Sequence, residues 1–212
     1  MALEFKILDE TPVYRGFFNL TRYHLRHSTF EGGWSDPLMR ELFHRGRCVA
    51  VLPYDPLKDE ILLIEQFRIG AVGSKAIPWL LETVAGAIES GESPEEVAHR
   101  EGLEEAGCQF QSLIRVGTFY TSPGGTSEAV TVFIGVALGP LQEGIFGLEE
   151  EGEDIRALVM SLNEALVLLE AGVIDSVVPA LALQWLALHR DRLDWDAGDD
   201  AVTVAYATDE FP

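Results

Sequence analysis

The sequence is poor in cysteine and in basic residues, and each shortage excludes a class of protein. Cys48 and Cys108 are too few for the disulfide framework of a small secreted domain. Lysine and arginine number 15 against 35 acidic residues, and the net charge of −20 repels nucleic-acid phosphates. No run reaches the roughly 18 apolar residues of a membrane-spanning helix, and the opening MALEFKILDE lacks the pattern of a signal peptide. These absences predict a cytoplasmic protein that binds neither nucleic acid nor membrane.

Apolar residues make up 47% of the 212, which is enough for a folded core. Residues 1–45 hold short extended runs without a long apolar periodicity, which predicts a small N-terminal β region that is not stable alone. Strand-like and helical segments intermix over 46–194 without a regular βαβ repeat. This order favours an α+β fold, in the form of an α/β/α sandwich, over a doubly wound sheet. Residues 195–212 form an acidic tail for which the sequence gives no role.

The sequence predicts three helices, the first two of them from capping signals. The first begins at Ser93–Glu96, a capping box with proline at the first helical position, and ends at Gly107. The second begins at another capping box, Ser161–Glu164. The third covers about 178–192 and is strongly apolar. Runs rich in β-branched and aromatic residues predict strands at 5–8, 13–20, 22–27, 48–55, 59–69, 79–86, 113–122, 127–138 and 154–161.

The first predicted helix carries an unusual density of carboxylates. The 23 residues from Gly86 to Cys108 include seven glutamates, four glycines and one arginine. Glu101, Glu104 and Glu105 follow the spacing i, i+3, i+4 and share one helix face, where like charges repel. A divalent cation would offset this cost, because Mg²⁺ binds through a few carboxylates together with substrate phosphates and water.

An E-x-x-E-E motif alone usually indicates a solvated acidic helix, but further features of this segment favour a functional site. Arg100 can pair with Glu92 or with Glu104, and glycines bracket the segment at Gly86 and Gly107. The whole stretch resembles the Nudix box, G-x5-E-x7-R-E-U-x-E-E-x-G-U, in which U is aliphatic. Its fixed positions are filled by Gly86, Glu92, Arg100, Glu101, Glu104, Glu105 and Gly107, whereas Gly102 and Cys108 replace aliphatic residues.

The rest of the chain resembles one branch of the Nudix family. Pro123 lies 16 residues after Gly107, inside TSPGGTSE, and this offset is similar to that of the ADP-ribose pyrophosphatases. The resemblance to their long, dimeric bacterial form extends over about residues 10–190. It implies a homodimer whose N-terminal regions are exchanged, and substrate contacts at Pro123 and Gly124. The S-P-G-G-T-S-E element is not unique to one substrate.

The resemblance also implies a metal site and a general base. Glu101 and Glu105 correspond to metal ligands, the Ala85 carbonyl completes the first site, and Glu104 is either a weaker ligand or an orienting residue. Two or three Mg²⁺ ions are implied for each site, and Mn²⁺ is possible.

The base is implied to lie in the acidic loop 147–154. Glu151 corresponds to the base and Glu153 to a further metal contact, while Glu150 is a rival because the register within three glutamates is open. Arg100 has a separate role that follows from its spacing, because pairing with Glu92 or with Glu104 would hold a carboxylate in place. The plain alternative for this loop is a solvated acidic segment.

Four other positions correspond to substrate contacts. Arg40 and Arg68 match residues at the phosphates and the terminal ribose, while Phe17 and Glu41 match residues near the adenine. Taken singly, Phe17 is also explained as a core residue and the arginines as surface ion-pair partners. The implied reaction is hydrolysis of ADP-ribose to AMP and ribose 5-phosphate. Its rivals are another nucleoside diphosphate sugar such as GDP-mannose, a non-catalytic ADP-ribose sensor, and an acidic protein that only buffers cations.

Overall fold

The contacts in the computed structural model, which describes residues 2–193 and Trp195, divide the chain into two units. The first unit is Met1–Arg47 with Tyr120–Val130, and the second is Cys48–Phe119 with Thr131–Pro212. The sequence placed the first boundary after residue 45 and did not predict that the segment Tyr120–Val130 groups with the N-terminal region. The predicted acidic tail lies outside the described residues apart from Trp195.

The first unit contains a three-stranded antiparallel sheet in the order β1-β2-β3. Its strands are β1 (Phe5–Arg15), β2 (Asn19–His27) and β3 (Leu38–His44). Every residue of β1 is exposed in the single chain, including the large apolar side chains of Phe5 and Tyr14. The outer strand β1 therefore buries little apolar surface in the single chain.

The second sheet has eight strands, of which six follow the order β10-β11-β5-β4-β9-β8. Its strands are β4 (Arg47–Asp55), β5 (Glu60–Phe67), β6 (Trp79–Glu82), β7 (Val84–Ala87), β8 (Phe110–Tyr120), β9 (Ala129–Ala137), β10 (Gly144–Phe146) and β11 (Ile155–Ser161). The segment predicted as one strand over 79–86 is two, because β6 pairs with β5 whereas β7 pairs with β4. The chain changes partner at Thr83.

Three helices accompany this sheet. They are α1 (Pro94–Ala106), α2 (Leu162–Glu170) and α3 (Val177–His189), and short 3₁₀ turns cover Ile69–Ala71, Glu149–Glu151 and Arg190–Arg192. The predicted third helix thus ends as a 3₁₀ turn. In the described residues, no helix combines the length and the apolar character needed to cross a membrane.

Both faces of the larger sheet are buried. Val49, Val51, Leu62 and Ile64 pack in one apolar cluster with Val97 and Ala98 of α1. The alternate residues Ala50, Leu52, Ile61 and Leu63, which point to the opposite face, are also fully buried. A sheet covered on both faces is the centre of an α/β/α sandwich, so the predicted α+β fold with a small N-terminal β sheet is confirmed.

Candidate active site

Local signals fix both ends of α1. The Ser93 hydroxyl accepts the Glu96 backbone N–H at 3.2 Å, and the Glu96 carboxylate accepts the Ser93 N–H at 2.8 Å. At the other end, Gly107 adopts φ 58°, a left-handed conformation that glycine takes without a steric cost. The helix therefore begins and ends where the sequence predicted, and the box glutamates lie on it.

Arg100 forms hydrogen bonds with three carboxylates at the acidic face of α1. Its Nε donates to Glu92 Oε1 at 3.2 Å. Its Nη1 donates to Glu101 Oε1 at 2.8 Å and to Glu104 Oε2 at 3.1 Å. The sequence predicted a pair with Glu92 or with Glu104, and the structure has both as well as a third bond to Glu101. One guanidinium thus holds three carboxylates in fixed orientations.

Gly86 leaves room for the Glu101 carboxylate beside β7. A Cβ atom at this position would lie 1.8 Å from Glu101 Oε1 and 2.6 Å from Glu101 Cγ. Any larger residue would therefore displace that side chain. The glycine at this fixed position of the box thus makes room for the Glu101 side chain.

Glu105 is almost fully buried, with 2% of its surface exposed. The pKa of its carboxyl is raised to about 8. Burial is the largest cause, a hydrogen bond from the Ala85 N–H opposes it, and the charges of Glu101 and Glu153 add to it. That bond joins Ala85 N to Glu105 Oε2 at 2.8 Å. Burial likewise raises the pKa of Glu101 to about 7 against the lowering effect of Arg100. Two neighbouring carboxylates are therefore costly to keep ionised near neutral pH.

A divalent cation bound between Glu101 and Glu105 would offset the cost of keeping both carboxylates ionised. In an extended strand the N–H and C=O of one residue point to the same side, so the Ala85 carbonyl is directed toward the side on which Glu105 lies. The candidate metal ligands, which are the carboxylates of Glu101 and Glu105 and the Ala85 carbonyl, are all oxygen atoms, which hard cations such as Mg²⁺ prefer. Across residues 2–193 and Trp195, no three His, Cys, Asp or Glu side chains already form a metal-binding group. The donor set fits a cation whose shell substrate and water complete.

The acidic loop is attached to α1 through its backbone. The Gly147 N–H donates to the Glu104 carbonyl at 3.1 Å. Glu153 is half-buried, and its Oε2 accepts the Leu148 N–H at 3.1 Å. Its charge raises the pKa of Glu101 and of Glu105, so the structure brings Glu153 into the electrostatic field of the site.

Glu150 and Glu151 are placed differently from Glu153. Both belong to the 3₁₀ turn Glu149–Glu151, and both side chains are exposed. The choice between them as the base stays a prediction.

Two residues of the same sheet region were missed by sequence reasoning. Arg68 Nε donates to Glu82 Oε2 at 2.6 Å, and the positive charge of Arg68 lowers the pKa of Glu105. Glu82 ends the apolar strand WLLE, and a single carboxylate in such an apolar run could have marked it as a candidate site residue. Gln66 is 7% exposed, and within the described part of the chain its Nε2 has no hydrogen-bond partner. An unpaired buried amide is unusual enough to mark a position of interest.

The other predicted substrate residues belong to the first unit. Phe17 is 94% exposed, so the alternative that it is a core residue is wrong. Arg40 Nη1 donates to the Met39 carbonyl at 2.8 Å. Glu41 Oε1 accepts from Arg22 Nε at 3.2 Å and from Arg22 Nη2 at 2.9 Å. Pro123 and Gly124 lie in the segment Tyr120–Val130, which groups with this unit.

Comparison with known proteins gives a consistent picture. The model of the NUDIX domain matches residues 44–181. The chain is 46% identical over 188 residues to the ADP-ribose pyrophosphatase of Escherichia coli K12, covering 89% of this chain and 90% of that protein. It is 42% identical over 193 residues to the ADP-ribose pyrophosphatase of Haemophilus influenzae, covering 90% and 89%.

More distant matches bear on the substrate and on the fold. A GDP-mannose pyrophosphatase of Cronobacter sakazakii is 35% identical over 151 residues, which are 71% of this chain and 78% of that protein. A crystal structure of an ADP compounds hydrolase superimposes with a TM-score of 0.62 at 21% identity, covering 88% of this chain and 96% of that one. At that identity the structural likeness shows the fold alone.

Proposed function

Because this chain belongs to the NUDIX family, we propose that it is an enzyme that hydrolyses the diphosphate of ADP-ribose to AMP and ribose 5-phosphate. The observation that carries the proposal is the identity of 46% to an ADP-ribose pyrophosphatase across nine tenths of both chains. Pro123, placed 16 residues after the last glycine of the box, supports the same substrate class. The complete set of box carboxylates with Arg100 argues against a non-catalytic sensor.

The reaction requires an anion to attack an anion. Bound Mg²⁺ supplies charge neutralisation of the diphosphate and a lower pKa for the attacking water. Glu101 and Glu105 would hold this cation together with the Ala85 carbonyl, and we propose two or three ions in each site. Arg100 keeps Glu101 in the orientation that it has beside Gly86, and the Ala85 N–H does the same for Glu105. Mn²⁺ has the same preference for oxygen and could replace Mg²⁺.

The proton of the attacking water needs an acceptor. We propose Glu151 as this general base, with Glu150 as the rival in the same turn and Glu153 as a further metal contact. The exposure of both turn residues is compatible with a loop that closes when substrate binds. Glu104, which is fixed by Arg100, would orient the cation's water shell as a weaker ligand.

Substrate binding is proposed for residues that present charge or an aromatic face. Arg68 and Arg40 would pair with the phosphates and the terminal ribose, since a guanidinium binds phosphate through two parallel hydrogen bonds. Phe17 exposes a face on which a base can stack. Glu41 would accept a hydrogen bond from the adenine amino group. A cytoplasmic location is part of the same proposal and is supported by Cys48 and Cys108, which are not joined in a disulfide, as is typical of a reducing compartment.

A substrate panel tests the proposed activity. We expect Mg²⁺-dependent release of AMP from ADP-ribose, with kcat/KM about a hundredfold above that for GDP-mannose, because hydrogen bonds to a base discriminate strongly. The measurement is chromatographic detection of the nucleotide product with and without Mg²⁺, beside a dinucleoside polyphosphate. Faster hydrolysis of GDP-mannose would support the metal-dependent chemistry of the box and reject ADP-ribose as the preferred substrate. GDP-mannose is the second candidate substrate because the chain is 35% identical to a GDP-mannose pyrophosphatase. If none of the three substrates is hydrolysed, the proposal that the protein is an enzyme is rejected.

We also propose a homodimer, supported by the exposed apolar side chains along β1. Light scattering is expected to give twice the chain mass of 23.4 kDa. Ile7→Glu is expected to shift the protein toward the monomer, because it places a charge on apolar surface that a partner would cover. Lys6→Glu is the matched control, since the neighbouring side chain of a strand points to the opposite face. A monomeric unaltered chain would remove the proposal.

A further inference from the structure

Trp195, the last residue that the structure describes, is fixed on the larger sheet. Its ring packs against that of Tyr54, near the end of β4, with 4.9 Å between the centroids. The Trp195 Nε1–H donates to the Arg190 carbonyl at 3.0 Å. An indole with a packed ring and a paired N–H is held through both its apolar and its polar part. The chain that follows Trp195 therefore starts from a defined point.

Asp59, in the turn between β4 and β5, links this point to the beginning of α2. Its Oδ1 accepts the Tyr54 hydroxyl at 2.9 Å, and its Oδ2 accepts a hydrogen bond from Arg190 Nη1 at 2.5 Å. The Asp59 carbonyl accepts the N–H of Leu162, the first residue of α2, at 3.0 Å. One residue thus connects the partners of Trp195 to the junction of β11 and α2.

An apolar groove begins at this junction. It has a volume of about 500 Å³, and its lining residues are Met160, Asn163, Glu164, Val167 and Leu168. Val167, in the middle of α2, is 64% exposed. Contiguous apolar surface that is open to water marks interaction sites in soluble proteins.

The strand register places the groove close to Trp195. Tyr54 and Met160 are both paired with Ile61, from opposite sides of β5. Directly paired residues point to the same face of a sheet, and two strand spacings put Met160 about 10 Å from Tyr54. The neighbouring residue Leu62 points to the face on which α1 packs. The groove therefore lies on the face of the sheet away from the candidate active site.

The edge of β11 beside the groove is uncovered. β10 pairs with β11 only at 155–157, whereas β5 pairs with it over 156–161. Within the part of the chain that the structure describes, no strand pairs with 158–161 on the side away from β5. The Val159 N–H on that side donates to Glu143 Oε1 at a long 3.4 Å. An uncovered edge of this kind accepts an extended segment by β-strand addition.

The sequence after Trp195 contains a run that fits such a site. Residues 201–207, AVTVAYA, place larger apolar side chains at Val202, Val204 and Tyr206 in the alternation of a half-buried strand. No charged residue occurs within 201–208. The six residues from Trp195 to the start of this run span up to about 20 Å, which is twice the distance from Tyr54 to Met160.

We propose that residues 201–207 cover the groove between β11 and α2 of their own chain and pair with the uncovered edge of β11. Attachment at Trp195 gives this segment an effective concentration in the millimolar range, which favours it over a separate molecule. The cover removes exposed apolar surface and an open strand edge, both of which promote aggregation. The inference does not depend on the proposed function, because the groove lies away from α1.

Hydrogen exchange of the full-length chain tests this cover. Residues 201–207 are expected to exchange at least about tenfold more slowly than in a free synthetic peptide of the same sequence, because strand pairing protects their N–H groups. Val167→Asp is expected to abolish this protection, since it places a charge in the groove. Val177→Asp is the matched control, because Val177 is also 64% exposed and does not line the groove.

A reciprocal variant decides the question if Val167→Asp does not fold. Val204→Asp is expected to remove the protection of 201–207 and to raise the exchange of 158–161, whereas Thr203→Asp, with its side chain on the opposite face of a strand, should change either less. Exchange of 201–207 at the free-peptide rate in the unaltered chain would overturn the proposal. So would protection that persists in a folded Val167→Asp variant. Protection that falls on dilution would identify a second copy as the occupant and would overturn it as well.

Discussion

Replacing Glu105 by glutamine is expected to lower kcat for ADP-ribose by about a thousandfold, since a catalytic metal contributes several kcal/mol to transition-state stabilisation. The fold should persist, because the amide oxygen of glutamine can still accept the Ala85 N–H that Glu105 accepts at 2.8 Å. What is lost is the negative charge that the cation requires. The measurement is turnover at saturating Mg²⁺.

Thermal unfolding provides the control for this variant. Because the pKa of Glu105 is raised to about 8 in the metal-free fold, ionisation of this carboxyl costs stability. The associated stability is present at low pH and is lost as the pH rises through about 8. The metal-free glutamine variant should therefore unfold at an equal or higher temperature above that pH, and added Mg²⁺ should no longer raise the temperature.

Glu95→Gln is the matched substitution on the exposed first turn of α1, and it should behave like the unaltered protein. It removes the same charge from the same helix at a position away from the buried carboxylates. Turnover of Glu105→Gln near that of the unaltered chain would contradict the assignment of Glu105 as a metal ligand.

The parts of this site that the sequence predicted depend on local signals. The capping box at Ser93 and the stop at Gly107 define α1 within a single segment, so the helix that carries the glutamates follows from neighbours in sequence. The spacing of Arg100 from Glu92 and from Glu104 predicted a pair with one or the other, and the structure has both, whereas the bond to the adjacent Glu101 was not predicted.

The unusual glycine in the box also has a local reason. Gly102 stands where the box pattern has an aliphatic residue. A Cβ at Gly102 would lie 2.4 Å from Phe110 Cε2. The ring of Phe110, at the start of β8, occupies the space that an aliphatic side chain would otherwise fill. The departure from the box pattern is therefore compensated by packing and leaves the carboxylates untouched.

The parts that the sequence did not predict depend on contacts between distant segments. The β3 strand was missed because Arg40 and Glu41 interrupt its apolar residues and three of its seven residues are exposed. The ion pair between Arg68 and Glu82 requires β5 and β6 to be neighbours. The hydrogen bond between Arg45 and Glu128 joins residues that are 83 positions apart in the sequence. Periodicity and capping carry no information about such partners.

The second large effect is expected in the acidic turn. Glu151→Gln should lower kcat by about a hundredfold, the lower end of the range for loss of a general base, and should leave the apparent affinity for Mg²⁺ nearly unchanged. Glu150→Gln should change either quantity by less than about threefold, because most exposed substitutions have small effects. Both residues lie in the 3₁₀ turn Glu149–Glu151 and both are exposed, so each variant is the structural control of the other.

The pattern of effects across the turn decides the register. Glu153 differs from its neighbours because it is half-buried, is bonded to the Leu148 N–H and acts on the pKa of Glu105. A proposed metal contact at Glu153 predicts that Glu153→Gln raises the Mg²⁺ concentration needed for half-maximal rate, unlike Glu151→Gln. If Glu150→Gln is the more damaging of the two turn variants, the base lies one residue earlier. If neither turn variant lowers kcat, the proton acceptor lies outside this turn, and the exposed glutamates are solvated charges.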